Sequence, residues 1–148
     1  AEDECFKRLH KAYEILSDHK KRKLYDSQDK FDDTIPSAKE PKDFYAEYTP
    51  VFERNSRWSV NKPAPVLGGP ETPLDMVHHF YDFWFDFQSW RELQGEDEEN
   101  LDEADSREER RWMERKNAKE RLRLKNKENE RVRKLVENAY KWDPRIKA

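Results

Sequence analysis

The stretch LDMVHHFYDFWFDFQSW, residues 74 to 90, limits the fold more than any other part of this 148-residue chain. On a helical wheel Asp75, His79, Asp82, Asp86 and Ser89 fall within one arc of about 80°. Leu74, Val77, Phe80, Tyr81, Phe83, Trp84, Phe85, Phe87 and Trp90 cover most of the remaining circumference. A helix that is apolar on so many sides must be wrapped by other elements on at least two of them. The spacing therefore predicts a central helix over 74 to 90, with Phe80, Tyr81, Trp84, Phe87 and Trp90 in the core and Trp112 joining from further along. Thr72, Pro73 and Asp75 read as its start: a capping hydroxyl, a first-turn proline and a carboxylate that reaches back.

What surrounds this element is highly charged, 43% Asp, Glu, Lys and Arg against 34% hydrophobic, with a formal net charge of -3. One modest core is the most such a chain supports. Three glycines leave no room for a Gly-rich phosphate loop, and the single Cys5 forms neither an internal disulfide nor a Cys-rich zinc site. No apolar run approaches the roughly 18 residues of a membrane span. His78, His79 and Asp82 have no third ligand at useful spacing, so no metal is expected. Asp75, Asp82 and Asp86 occupy the only polar face of their helix and read as a solvated stripe rather than as acid/base carboxylates. No nucleophile, base and orienting group stand at plausible spacing, so catalytic residues, cofactor and small-molecule substrate are all expected to be absent.

Seven of the eight prolines lie between Pro36 and Pro73, which argues against a long helix or a central strand there. Phe44, Tyr45, Tyr48, Val51, Phe52 and Trp58 are nevertheless too apolar for a disordered spacer. The expectation is an extended segment over the core, with short turns near 44 to 52 and a mobile loop at 61 to 70. Nearer the start, Phe6, Leu9, Ala12, Tyr13, Ile15 and Leu16 recur at three- and four-residue intervals and predict an amphipathic helix. A basic turn from His19 to Lys23 and a second short helix through Leu24, Tyr25 and Asp26 follow. The basic turn reads by default as solvated.

Charge is strongly segregated. Residues 96 to 106 contain seven acids and no base, whereas residues 107 to 148 contain 16 Lys and Arg against 8 acids. Ser106 and Glu109 make a capping box ahead of a stretch free of Gly and Pro until Pro144, so a helix is expected over 107 to 141, about 50 Å long. Ala118, Leu122, Val132, Val136, Ala139 and Tyr140 share a side, but residues 125 to 131 include nothing apolar. The preferred reading is two packed ends around a projecting or kinked middle, with a continuous rod left open. Arg107, Arg110, Arg111, Arg115, Lys116, Lys119, Arg121 and Arg123 are dense enough to line phosphates, and arginine can grip phosphate oxygens in two-pronged fashion. A solvated helix laced with ion pairs, such as Arg111 with Glu108 and Glu114, is the alternative. The excess of cations favours a nucleic-acid surface. A scaffold in which the basic helix pairs with an acidic protein or coiled coil is the second reading.

Two groups of residues carry a family resemblance. Phe6, then Ala12 to Asp18, then Lys21, Arg22, Tyr25 and Asp26 resemble the third and fourth helices of a J-domain, without the His-Pro-Asp loop by which J-domains stimulate DnaK-type chaperones. These 148 residues alone are thus not expected to act as a cochaperone. Pro50 to Glu53, the aromatic helix with Ser89, Trp90 and Arg91, residues 107 to 117, and Asp143 to Lys147 resemble the zuotin homology domain. The resemblance implies three segments: 1–30 a partial J-domain, 31–72 a proline-rich connecting segment, and 73–148 a helical core with a basic ribosome-binding helix. The whole is expected to be all-α, a small bundle with an aromatic central helix, the extended segment packed over it and a long basic helix. The resemblance also implies a cytoplasmic, ribosome-associated protein, with a nuclear fraction left open. It would dock on the large subunit near the tunnel exit, against ribosomal RNA and neighbouring proteins. From there it would bring a DnaK-type chaperone to nascent chains. Carried over by position, Arg107 and Arg111 come first, then Arg110, Arg115, Lys116 and Lys119.

Overall fold

The computed structural model describes residues 2–28 and 30–147, with backbone only for residue 2, residues 14–17 and residue 19. The side chains of Glu14, Ile15, Leu16, Ser17 and His19, part of the J-domain-like pattern, lie outside the described set. The fold is all-α: α1 (Glu2–Ser17), α2 (His19–Ser27), α3 (Phe44–Ser56), α4 (Leu74–Phe85), α5 (Arg107–Trp142) and α6 (Pro144–Lys147). By packing, the chain forms two compact units, each drawn from two stretches of sequence: 1–30 with 91–125, and 31–90 with 126–148. The proline-rich segment and the aromatic helix thus belong to one unit, and the cation-rich first half of α5 to the other.

In the unit of 31–90 and 126–148, the aromatic helix is the core element. Val77, Phe80, Tyr81 and Trp84 are buried, and Phe52 of α3 meets both Phe80 and Trp84 edge-on at 4.9 Å. The helix stops at Phe85 rather than at 90. Phe87 turns back to stack on Trp84 at 4.6 Å, and the next residues run extended beside 58–60, with Trp90 N–H donating to Trp58 O and Val60 N–H to Gln88 O. Phe87 and Trp90 are consequently only partly buried. The start also differs: Thr72 does not cap α4, because its hydroxyl accepts from the Gly69 amide at 2.9 Å in the preceding turn.

The expected extended stretch at 44 to 52 is instead a 13-residue helix with Pro50 inside it. Proline removes one internal hydrogen bond and costs about 3 kcal/mol in a helix interior. Here the Asp43 carboxylate caps the first turn, accepting from Ala46 N–H, and Phe44, Tyr48, Val51, Phe52 and Asn55 are buried at helical spacing. Burying four large apolar side chains at roughly 1.5 to 3 kcal/mol each outweighs the proline. The loop expected to be mobile is tied down as well. Leu67 is buried, Pro65 O accepts from Trp84 Nε1, and Leu67 O accepts from Arg145 at 2.7 Å.

α5 is unbroken over 36 residues. Its apolar-free stretch does not kink out of helix; its second part packs through polar groups. Glu128 is buried against Arg131, whose guanidinium donates to the buried Asn55 amide oxygen at 2.8 Å. Beyond it Val132, Leu135, Val136 and Ala139 enter the core, and Asp143 ends the helix fully buried. Tyr81 donates to Asp143 at 2.6 Å, and Arg145 grips the same carboxylate through two nitrogens at 3.0 and 2.8 Å. Burial alone would raise the Asp143 carboxyl, but the bonds from Arg145 and Tyr81 prevail and hold it below its usual value.

The other unit is less apolar. α2 opens at Asp18, whose carboxylate accepts from the Lys20 and Lys21 amides, and Ser27 near its end is buried, its hydroxyl accepting from Glu92 N–H. On α1 the stripe predicted for packing is open to solvent, with Phe6, Leu9 and Tyr13 about 70% exposed. Trp112, expected in the core, is 50% exposed, and Met113, one residue on, is the buried one.

Two predictions follow from this packing. Trp84→Ala should lower unfolding free energy by about 3 to 5 kcal/mol, against less than about 1 for Trp112→Ala, in urea titrations followed by circular dichroism. Because the folded Asp143 value lies below the unfolded one, its contribution is complete above the ordinary value near 3.8 and is lost as pH falls through the lower folded value. Tyr81→Phe should cost about 1.5 to 3 kcal/mol near neutrality and shrink the acid-side loss, because the folded value moves back up. Equal acid-side losses in the two proteins would contradict the role given to the Tyr81 bond.

Candidate nucleic-acid interface

α5 begins at a variant of the capping box that holds its first turns: Ser106 Oγ accepts from Glu109 N–H at 3.1 Å, and the Glu109 carboxylate accepts from Asp105 N–H at 2.9 Å. The reach-back bond goes to the residue before the cap. At 1.5 Å per residue the helix is about 54 Å long. Its first half supplies all eight predicted cations, and the structure sorts them into two sets.

Four are engaged within the unit. Glu98 takes Arg121 in a two-pronged pair at 2.7 and 3.1 Å, with the Glu98 side chain only 6% exposed. Lys116 meets Glu99 at 2.7 Å, Arg123 meets Glu120, and Arg110 lies 3.5 Å from Glu114. The hydrogen bonds from Glu98 and Glu120 push the Arg121 and Arg123 guanidinium groups up, so both stay fully charged while paired. Asn117 completes the clamp: its amide oxygen accepts from Glu99 N–H at 2.8 Å and its amide nitrogen donates to Glu99 O at 2.9 Å. Asn100 then turns the acidic segment into a short 3-10 turn at Leu101–Glu103. Gly95 is needed for this approach, since a Cβ there would stand 2.7 Å from the Glu120 side chain.

The other four, Arg107, Arg111, Arg115 and Lys119, are exposed and form no ion pair among the described residues. They sit at successive four-residue steps, which in a helix makes one ridge, about 18 Å long from first to last. Leu122 continues it, 59% exposed, and Trp112 lies beside it under the Lys116 ammonium at 5.2 Å. A row of unneutralised guanidinium groups on a rigid element can meet a row of phosphates without first breaking bonds of its own. Sequence reasoning missed Asn117, Glu98 and Glu99 as the groups that divide the cations. Elsewhere, His78 and His79 are exposed, and no group of three metal-capable side chains occurs among the described residues. No helix there is long and apolar enough to cross a membrane.

Asn117→Ala removes both bonds to the Glu99 backbone and should cost about 1 to 3 kcal/mol. Hydrogen exchange at the Glu99 amide should quicken at least tenfold, while the amides of α4 keep their protection; unchanged exchange at Glu99 would contradict the clamp.

Comparison with known proteins identifies the family. The family model described as Zuotin-like, zuotin homology domain, matches residues 43–147. Over 148 residues the chain is 48% identical to DnaJ homolog subfamily C member 2 of Homo sapiens, covering 99% of this chain and 24% of that protein. It is 42% identical over 147 residues to zuotin of Schizosaccharomyces pombe and to zuotin of Saccharomyces cerevisiae, covering 33% and 34% of those proteins. The chain thus spans about a quarter to a third of the length of these curated relatives. With both the aromatic helix and the cationic ridge inside the matched region, the chain belongs to the zuotin-like family.

Proposed function

We propose that this chain is the ribosome-binding adaptor of a J-domain cochaperone, docking through ribosomal RNA phosphates near the tunnel exit of the large subunit. In this reading the full-length protein brings a DnaK-type chaperone to nascent chains in the cytoplasm, and the chain binds rather than catalyses. The observation that carries it is the ridge of Arg107, Arg111, Arg115 and Lys119, four exposed cations that form no ion pair among the described residues. Recognition of this kind rests on phosphate contacts and shape, not on base edges. We assign residues 1–30 to the last two helices of a J-domain and the matched residues 43–147 to the homology domain, so that 43–72, read from the sequence as connecting segment, belong to that domain. The open stripe of Phe6, Leu9 and Tyr13 supports the first assignment, since a J-domain would cover it with its other helices.

Arg107→Glu with Arg111→Glu should abolish cosedimentation with purified ribosomes and leave helical circular dichroism intact. For four phosphates neutralised, log affinity of the parent chain should fall against log salt with a slope of about -3 to -4. Undiminished binding by the double variant would refute the site. Binding that survives RNase treatment would assign the ridge to an acidic protein partner instead.

A further inference from the structure

We propose that the same unit holds a second phosphate-binding element, the basic start of α2, resting on the RNA-binding reading above. Lys20, Lys21, Lys23, Leu24, Glu92 and Arg121 line a groove of about 410 Å³. It is built by the Ser27 hydroxyl, which accepts from Glu92 N–H at 2.9 Å and so brings the 92 segment against α2. Arg121 is already committed to Glu98. Lys20, Lys21 and Lys23 are exposed and form no ion pair among the described residues, while their neighbour Arg22 lies 3.8 Å from Asp26. Three lysines without an ion pair among the described residues therefore line a groove to which Glu92 contributes one acid.

Their position in the helix is the independent sign. The first turn of α2 contains no acid, and its cations sit at the positive end of the helix dipole, where they weaken the helix; only the Asp18 cap offsets them. Residues kept against local stability mark sites where something else is gained. The partner follows from the lining. Leu24 and the aliphatic stems supply much of the groove's lining, but its charged groups are Lys20, Lys21, Lys23 and Arg121 against the single acid Glu92, so net positive charge rather than an apolar anchor selects the partner. Lysine heads act as mobile point charges and reach phosphate oxygens from many directions, which suits an RNA backbone.

The test uses the whole chain and purified large ribosomal subunits, with binding measured across a salt series. Lys20→Gln, Lys21→Gln and Lys23→Gln together should reduce the steepness of log affinity against log salt by about 2. The melting temperature should stay equal or rise, because the substitutions remove charges that oppose the dipole. If this variant matches the parent in affinity and slope while the Arg107→Glu, Arg111→Glu variant loses binding, the second element is overturned and the ridge stands. If neither variant differs from the parent, the RNA-binding reading itself fails. If the lysine-dependent part of the binding survives RNase treatment, the groove takes a protein and the proposal is likewise overturned.

Discussion

Neutralisation along α5 decides what the molecule can do. The helix carries cations on most of its circumference, and a polyanion can use only those that are not already paired. Glu98 and Glu99 reach the helix from a segment that lies 17 to 23 residues earlier in the chain. Glu98 is nearly buried, and its pair with Arg121 is two-pronged, so replacing it with a phosphate would expose a desolvated carboxylate. The Asn117 bracket adds two backbone bonds that no salt concentration screens. The acidic segment is therefore a fixed part of the unit. It engages Lys116 and Arg121, while Glu114 and Glu120 of the helix itself engage Arg110 and Arg123, and the 107–111–115–119 ridge is left unpaired among the described residues.

The second half of the same helix solves a different problem. A rod of 36 residues with low hydrophobicity gains little from propensity alone and needs tertiary anchoring. Leu135, Val136 and Ala139 supply it among the aromatic side chains, and Asp143 with Tyr81 and Arg145 closes the far end. The Arg145 guanidinium also holds the Leu67 and Gly69 carbonyls, so the loop of prolines, the aromatic helix and the end of α5 share one buried ion pair. Removing one member would leave an uncompensated charge in that position, which is why the group behaves as a unit.

Much of this was legible in the residues. The wheel of 74 to 90 located the core, and the capping box at Ser106 and Glu109 located the start of α5 to the residue. What periodicity missed was decided by distant partners. α4 ends at Phe85 because Trp90 finds the Trp58 carbonyl, and α3 survives Pro50 because Tyr48, Val51 and Phe52 have an aromatic face to bury against. Trp112 and Met113 exchange roles because a single residue step turns a side chain by about 100°, and only the packed unit says which of the two faces inward. The candidate cations could be counted from the sequence. Their division into paired and free sets could be read only in part: Arg110 with Glu114 and Arg123 with Glu120 are neighbours on the helix, whereas Lys116 and Arg121 are paired by an acidic loop of no regular pattern.

A net charge of -3 does not preclude a locally cationic surface once distances are considered. Exposed charges more than about 8 to 10 Å apart hardly feel one another at physiological salt, so a phosphate at the ridge responds to its nearest cations and not to the total. Two groups among the 33 acids show this. Those of the clamp are consumed by Arg121 and Lys116, and their field is cancelled at short range. Those of the aromatic helix, Asp75, Asp82 and Asp86, belong to the other packed unit and serve its solvation. Only a rigid array with phosphates at the spacing of the ridge would meet all four of its cations at once. Cations held at fixed spacing thus favour an anion array of matching spacing over diffuse negative charge.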